Sequence, residues 1–267
     1  MSDEAPVLRR LEAGLLCLTL NRPAKKNAFD EAQWDALASA LREAREDPDV
    51  AVVLVTGAGG HFSAGQDLSS FRGGVAQRSD AFQSGYHNLM DALVAFDKPL
   101  LAAVPGVAVG IGATFLFHCD VVYVGESLRL RLPFVQLGLV PEGASSYLLQ
   151  AVIGSRRAAE LFYTAEWVDA ARALETGIAT RVVPDAELLE VAMAKGLEIA
   201  QWPVGALQAT KRTLKVAHRA GIEKALEAEE AGMARQVGSP ENIEAVTAFF
   251  EKRKPDFAGL RGSGEKE

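Results

Sequence analysis

Residues 100–112 read LLAAVPGVAVGIG, an apolar run that passes directly into a glycine-rich turn. The run of residues 100–104 is continuous rather than alternating, which predicts a strand that is covered on both faces. Glycines allow unusual φ and ψ values and let another group approach the backbone N–H groups closely. Because the turn also opens an apolar helix that continues to His118, its free N–H groups and the helix dipole favour negative charge there.

A second predicted strand ends in the same way. Residues 51–56 are continuously apolar, residues 57–60 read GAGG, and residues 61–68 read HFSAGQDL. Two backbone N–H groups that face one point would form an oxyanion hole, which stabilises an oxygen on which negative charge develops during a reaction. Either turn on its own also fits a purely structural role, connecting a packed strand to a packed helix.

The rest of the chain divides into an alternating part and a helical part. Short apolar runs predict strands at 15–20, 121–124, 128–132 and 180–183. Helical periodicity predicts helices from Asp30 to residue 46, then at 81–96, 145–153, 155–164, 169–176, 185–201, 205–220, 222–237 and 240–254. The pattern indicates an α/β fold with a core at residues 1–200 and a C-terminal helical region at residues 201–267.

Composition excludes several classes of protein. The 267 residues are 49% hydrophobic and carry a net charge of −7, which argues against a nucleic-acid surface. Cys17 and Cys119 lie in apolar runs, which favours free thiols over a disulfide. The sequence shows neither a signal peptide nor an apolar run that would span a membrane, so we expect a cytoplasmic protein that does not bind membranes. No metal-ligand spacing, phosphate loop or dinucleotide fingerprint is present.

Several ordered motifs resemble those of the enoyl-CoA hydratase/isomerase (crotonase) family. They are FSAGQDL at 62–68, KPLLAAVPG at 98–106, and GIG at 110–112 followed by HCD at 118–120. The resemblance covers nearly the whole chain, from about Leu15 to the tail at residues 249–257. One departure is Pro105, where family members often have Asn; we expect this change to be structural only.

The resemblance implies a spiral of ββα turns whose C-terminal helices pack homotrimers or dimers of trimers. It implies an acyl-CoA substrate with no separate cofactor, since the CoA is part of the substrate. The oxyanion donors would be the backbone N–H groups of Ala64 and Ile111. Lys25 or Lys26 would meet the CoA phosphates. The predicted substrate-binding residues are Lys25, Lys26, Ala28, Ser63, Gly65, Gln66, Asp67, Leu68, Gly110 and Phe134.

Within this family, the side chains around the oxyanion hole determine which reaction is catalysed. Hydratases resemble one another in two glutamates that hold a water, and these positions correspond here to Thr114 and Phe134. Addition of water needs a base and a proton donor, and neither Thr114 nor Phe134 is suited to this. The usual hydratase mechanism is therefore not expected.

A different carboxylate, Glu142, lies in the stretch LVPEGASSY at 139–147. This stretch is very similar to the Pro-Glu-Gly-(Cys/Ala)-Ser-Ser motif of the peroxisomal-type Δ3,Δ2-enoyl-CoA isomerases, in which the glutamate is the catalytic base. The resemblance therefore implies that Glu142 moves a proton between C2 and C4 of an enoyl-CoA. Without it, Glu142 also fits an acidic residue at a helix N-terminus.

Two other functions remain open from the sequence. One is a hydratase or another crotonase reaction that uses Glu142 or Asp67 in an unusual way, although capping of loop amides is the favoured role for Asp67. The other is a non-catalytic protein that binds acyl-CoA and has lost the chemistry. We expect residues 69–79 and 82–90 to form the walls of the acyl pocket.

Overall fold

The computed structural model describes residues 5–67 and 80–260, and for residues 80–84 it describes the backbone only. Strands occupy short segments spread over the first 183 residues. They are β1 (Val7–Glu12), β2 (Leu15–Leu20), β3 (Val52–Gly57), β4 (Leu100–Val104), β5 (Val107–Val109), β6 (Val121–Gly125), β7 (Arg129–Arg131), β8 (Val168–Asp169) and β9 (Arg181–Val183).

Helices separate these strands and then occupy the C-terminal third. They are α1 (Glu31–Glu46), α2 (Asp80–Ala95), α3 (Ile111–Thr114), α4 (Ser145–Ile153), α5 (Ser155–Thr164), α6 (Ala170–Thr176), α7 (Leu188–Ala200), α8 (Val204–Val216), α9 (Arg219–Gln236) and α10 (Pro240–Phe250). Helix α1 begins where predicted, because the Asp30 side chain caps it by accepting the Gln33 N–H at 2.9 Å.

The strands form two sheets, and the chain passes from one sheet to the other several times. The larger sheet has the order β1-β2-β3-β4-β6-β9, and all neighbours are parallel except the β1–β2 hairpin. The smaller sheet has the order β5-β7-β8. Consecutive strands β4 and β5 lie in different sheets, and so do β6 and β7. Each pair followed by helical structure is one ββα turn, as the sequence resemblance implies.

The large sheet is covered on both faces, which explains its continuous apolar strands. In β2, Leu16 and Leu18 face the core that includes α1 and α2, whereas Leu15 and Cys17 face a second cluster under α7. Alternate residues of a strand point to opposite faces, so a strand covered on both sides needs apolar residues throughout. Cys17 is buried and Cys119 half-buried, and both are free thiols, as expected.

Three strands escape detection from the sequence. Strand β1 reads VLRRLE and is an edge strand with several exposed residues, so it lacks the apolar run of a buried strand. Strands β5 and β8 have three and two residues, too few for a periodic pattern. Strand β5 occupies the middle of the predicted glycine turn, and α3 after it is only a four-residue helix that continues as a 3₁₀ turn to His118.

The C-terminal helices expose large apolar side chains. In α8, Leu214 and Val216 are 67% and 73% exposed, and Phe249 of α10 is 56% exposed. Trimer formation through this region stays a prediction. Within the described ranges, no helix is both long and apolar enough to cross a lipid bilayer.

Candidate active site

The loop after β3 is held from below by a buried asparagine. The Asn27 side chain donates to the carbonyl groups of Ala58 and His61 at 2.9 and 2.7 Å and accepts the Arg22 N–H at 2.8 Å. Its backbone carbonyl accepts the Ser63 hydroxyl at 2.8 Å. Asn27 has a positive φ of 55°, a conformation that Asn adopts more readily than most residues. It therefore fixes both ends of the segment that leads into the site.

The two glycine-containing loops are bonded directly to each other. The Ser63 N–H donates to the Val107 carbonyl and the Val109 N–H donates to the Ser63 carbonyl, both at 3.0 Å. A Cβ on Gly112 would lie 2.7 Å from the Ser63 carbonyl oxygen, so this position has no room for a side chain. The predicted meeting of the two loops is confirmed, and it depends on backbone contacts that only glycine permits.

The two predicted oxyanion donors are in different states. No hydrogen bond between described residues has the Ile111 N–H as donor, as expected in the first turn of a helix. The Ala64 N–H, however, donates to the Lys26 carbonyl at 2.9 Å, and the Gly65 N–H donates to the Ser63 hydroxyl at 3.1 Å. Of the two predicted donors, the Ile111 N–H is therefore open, and the predicted role of Ala64 would require its N–H to leave or share the Lys26 carbonyl.

Glu142 faces the same space as Ile111 and is oriented by Thr114. The Thr114 hydroxyl donates to Glu142 Oε1 at 2.9 Å, and Thr114 is fully buried. Thr114 belongs to the same short helix, α3, whose first residue is Ile111. The open N–H group and the carboxylate are thus positioned by one element.

The backbone after Glu142 is held by side chains from three helical segments. The Gly143 N–H donates to the Tyr86 hydroxyl at 2.8 Å, and the Gly143 carbonyl accepts a hydrogen bond of 2.8 Å from His118 Nε2. Glu229 of α9 accepts the N–H groups of Ala144 and Ser146 at 2.7 and 2.8 Å. Side chains from other elements therefore hold four of the five residues 142–146.

Burial shifts the pKa of two of these anchors. Desolvation lowers the pKa of His118 to about 4, so its ring is neutral at neutral pH and Nε2 must carry the proton that Gly143 accepts. Desolvation also raises the pKa of Glu229, although hydrogen bonds from Ser146 and Ala144 oppose that shift. Glu229 is 6% exposed.

A cavity of about 750 Å³ joins these groups. It is lined by Ala64, Gly65, Gln66, Gly110, Ile111, Phe134 and Glu142, all of which were predicted site residues. Its aromatic side chains are Trp34, Tyr86, Phe134, Trp167, Phe249 and Phe257. Phe134 packs against Phe162 at a ring separation of 6.4 Å and lines the same cavity as Glu142.

Of the remaining predicted residues, those that the structure describes do not line the cavity. Lys25 and Lys26 are exposed, Ala28 and Ser63 are buried, and Leu68 lies outside the described residues. Ser63 supports the loop from inside. Asp67 forms an ion pair of 3.1 Å with Arg22. Capping of loop amides by Asp67 stays a prediction. Contacts of these residues with a bound CoA stay predictions.

Sequence reasoning missed the residues that support the site. Asn27 and Glu229 belong to no motif of the site and lie far from Glu142 along the chain. Tyr86 lies in the expected pocket wall at 82–90, but its bond to Gly143 was not predicted, and Arg131, which lines the cavity, was not among the predicted site residues. A glutamate on a charged helix such as α9 resembles an exposed residue, so only the packing of α9 on α4 reveals its burial. Among the described residues, no group of three or more His, Cys, Asp or Glu could hold a metal ion.

Comparison with known proteins identifies the family. The model of the enoyl-CoA hydratase/isomerase family matches residues 10–260. The chain belongs to the enoyl-CoA hydratase/isomerase family. It is therefore an enzyme of a family that acts on acyl-CoA thioesters.

Relatives within the enoyl-CoA hydratase/isomerase family carry different activities. A 2,3-dehydroadipyl-CoA hydratase of Escherichia coli is 33% identical over 92% of this chain and 95% of its own length. The human enoyl-CoA delta isomerase 2 is 31% identical over 91% of this chain and 62% of its own length. A crystal structure of an enoyl-CoA hydratase/isomerase from Pseudoalteromonas atlantica is 34% identical, covers 94% of this chain and 99% of its own, and superposes with a TM-score of 0.87. The predicted crotonase fold is confirmed.

Proposed function

We propose that this protein is an enoyl-CoA isomerase that moves a double bond between the 3- and 2-positions of an acyl-CoA, with Glu142 as its single acid and base. The observation that carries the proposal is the bond from Thr114 to Glu142. The position at which family hydratases have a glutamate is occupied here by a hydroxyl that holds the Glu142 carboxylate at 2.9 Å.

The chemistry needs only one carboxylate and one charge-stabilising site. Glu142 takes the proton from C2, and the electrons of that C–H bond form a dienolate whose oxygen is negative. The Ile111 N–H stabilises this oxygen, joined by the Ala64 N–H when it turns to the substrate. Glu142 then returns the proton to C4, the 3,4-double bond becomes the 2,3-double bond, and no water or other reactant is consumed.

The surroundings of Glu142 suit proton transfer and disfavour hydration. A hydratase of this family uses two glutamates, and the second of these positions is Phe134, which is 6% exposed and carries no proton-transferring group. An apolar ring in the wall of the cavity that Glu142 lines disfavours a water that would attack C3. The human relative named as a delta isomerase supports the same reading.

Isomerisation is tested with 3-hexenoyl-CoA and, separately, 2-hexenoyl-CoA, following double-bond migration and hydration by absorbance and mass. The wild type is expected to convert the first thioester without adding water. Glu142→Gln keeps the size and a hydrogen-bond acceptor but removes the base, and we expect it to lose about 10²-fold or more of the rate. Hydration of 2-hexenoyl-CoA that is unaffected by Glu142→Gln would show that the catalytic group lies elsewhere.

Hydration is the second candidate, and the hydratase among the relatives is the observation that favours it. A non-catalytic acyl-CoA-binding protein is the third. Binding of hexanoyl-CoA without exchange of its C2 protons in D₂O would favour the non-catalytic protein, because a protein with a working base exchanges them. Hydration is separated from isomerisation by the products formed from the two hexenoyl-CoA thioesters. The proposed enzyme is cytoplasmic, uses no separate cofactor, and forms a homotrimer or a dimer of trimers. Light scattering on the purified protein measures its oligomeric state.

A further inference from the structure

Arg131 is half-buried and lines the cavity, and its guanidinium group lies against Trp167, which lines the same cavity. Its Nε donates to the Ala165 carbonyl at 2.6 Å, and its Cζ lies 5.0 Å from the centre of the Trp167 ring. These contacts orient the side chain but do not neutralise it, and among residues 5–67 and 85–260, whose side chains the structure describes, no carboxylate forms an ion pair with Arg131. A cation that lines a substrate cavity without a counter-charge is suited to bind an anionic group of the ligand.

Arg129 increases the positive potential at this place. Residues 129 and 131 lie two apart in β7 and so point to the same side of the sheet. The Cζ atom of Arg129 lies 4.8 Å from the centre of the same Trp167 ring. Burial and, second, the charge of Arg129 lower the pKa of Arg131. An anion bound between these groups would relieve the repulsion between them.

The position of Arg131 relative to the oxyanion hole indicates which part of a substrate would carry that anion. The Arg131 carbonyl accepts the Gly110 N–H at 3.1 Å, and Gly110 directly precedes Ile111. The phosphates of CoA are separated from the thioester by the whole pantetheine arm, whereas substituents of the acyl group lie close to it. An anion near Arg131 therefore belongs to the acyl group of a thioester bound at Ile111.

We propose that Arg131 binds a carboxylate on the acyl group, so that the enzyme prefers CoA thioesters of unsaturated dicarboxylic acids. This inference rests on the proposed placement of the thioester at Ile111, but not on the double-bond shift itself. The carboxylate would accept hydrogen bonds from the terminal amino groups of Arg131, while the Trp167 ring orients the guanidinium through a cation–π contact.

The test measures binding of two saturated thioesters that cannot be isomerised, adipoyl-CoA and hexanoyl-CoA, by calorimetry. We expect the wild type to bind adipoyl-CoA at least tenfold more tightly. Arg131→Gln should weaken the binding of adipoyl-CoA by about 10- to 100-fold, because it removes a charged hydrogen bond, and should leave the binding of hexanoyl-CoA unchanged. Arg131→Lys should retain part of the preference. The control is Arg181→Gln, which changes an exposed arginine of β9 and should affect neither thioester.

Other outcomes overturn the proposal. Equal binding of both thioesters by the wild type does so, as does an Arg131→Gln variant that keeps the preference. If Arg131→Gln weakens both thioesters equally, and this loss disappears with their 3′-dephospho forms, the anion is a phosphate of CoA and not an acyl carboxylate. None of these measurements needs turnover. A negative result for isomerisation with Glu142 as base can therefore be distinguished from a negative result for carboxylate binding by Arg131.

Discussion

Glu229 accepts the Ala144 N–H at 2.7 Å and thereby joins α9 to the segment that carries Glu142. The same carboxylate accepts the Ser146 N–H, so it occupies the N-terminus of α4, where two free N–H groups would otherwise be buried. Ala144 itself has a positive φ of 55°, a strained conformation for alanine that the surrounding contacts maintain. The geometry of the proposed base therefore depends on a residue from the C-terminal helices.

Glu229→Ala should lower kcat for 3-hexenoyl-CoA by about tenfold with little change in KM, because the thioester contacts stay intact while the carboxylate of Glu142 loses its fixed position. Leaving buried N–H groups without acceptors should also cost about 2 kcal/mol in the free energy of unfolding, measured with urea. Glu229→Gln retains an acceptor oxygen and should recover part of kcat. Glu227→Gln, at an exposed position of the same helix, is the control. Equal rises in KM and falls in kcat for all three would argue against a positioning role.

Thr114→Val should reduce kcat by about tenfold, since it keeps the shape of the side chain but removes the donor that orients Glu142 Oε1. Thr114→Ser keeps the hydroxyl and should stay within a few-fold of the wild type. Steady-state kinetics with 3-hexenoyl-CoA measure both. A fully active Thr114→Val variant would mean that other contacts suffice to position Glu142.

Gly112→Ala should destabilise the protein and disturb the oxyanion hole, because the added Cβ would lie 2.7 Å from the Ser63 carbonyl oxygen. We expect a loss of about 1–3 kcal/mol in the free energy of unfolding and a clear fall in kcat/KM. Gly205 of α8 has no atom within 4 Å of the added Cβ. Gly205→Ala should therefore be neutral or stabilising by up to about 1 kcal/mol. Thermal unfolding compares the two variants directly.

His118 should make the stability fall as the solution is acidified. Its pKa is about 4 in the folded protein and near 6.5 as an unperturbed side chain, so the unfolded chain binds the proton more readily. The contribution is complete above about pH 6.5, is lost progressively as the pH falls towards 4, and amounts to about 3 kcal/mol. Urea unfolding at several pH values should show a smaller loss for His118→Gln than for the wild type. Parallel curves for the two proteins would contradict this assignment.

The sequence predicts the strands, helices and motif residues of this protein better than the residues that hold the site in position. The strands at β2, β3 and β4 are evident because residues covered on both faces must all be apolar, and the helix at α1 is evident from its cap and its spacing. Strand β1 is not, since an edge strand tolerates Arg9 and Arg10. The motif residues Ile111 and Glu142 line one cavity as the resemblance implies, because backbone donors and a base act locally. Tyr86 and Glu229 act across tertiary contacts that no local pattern encodes.

The bond from the Ala64 N–H to the Lys26 carbonyl has a consequence for selectivity between ground state and transition state. A neutral thioester oxygen is no better an acceptor than the neutral amide carbonyl that already holds this N–H group. Hydrogen bonds to an ionised oxygen are roughly twice as strong, so only the developing enolate outcompetes Lys26. In the resting enzyme the Ala64 N–H would then stay bonded to Lys26, and it would bond the substrate oxygen only when that oxygen becomes negative. Such a hydrogen bond stabilises the transition state but not the unreacted thioester, so it raises kcat without tightening substrate binding.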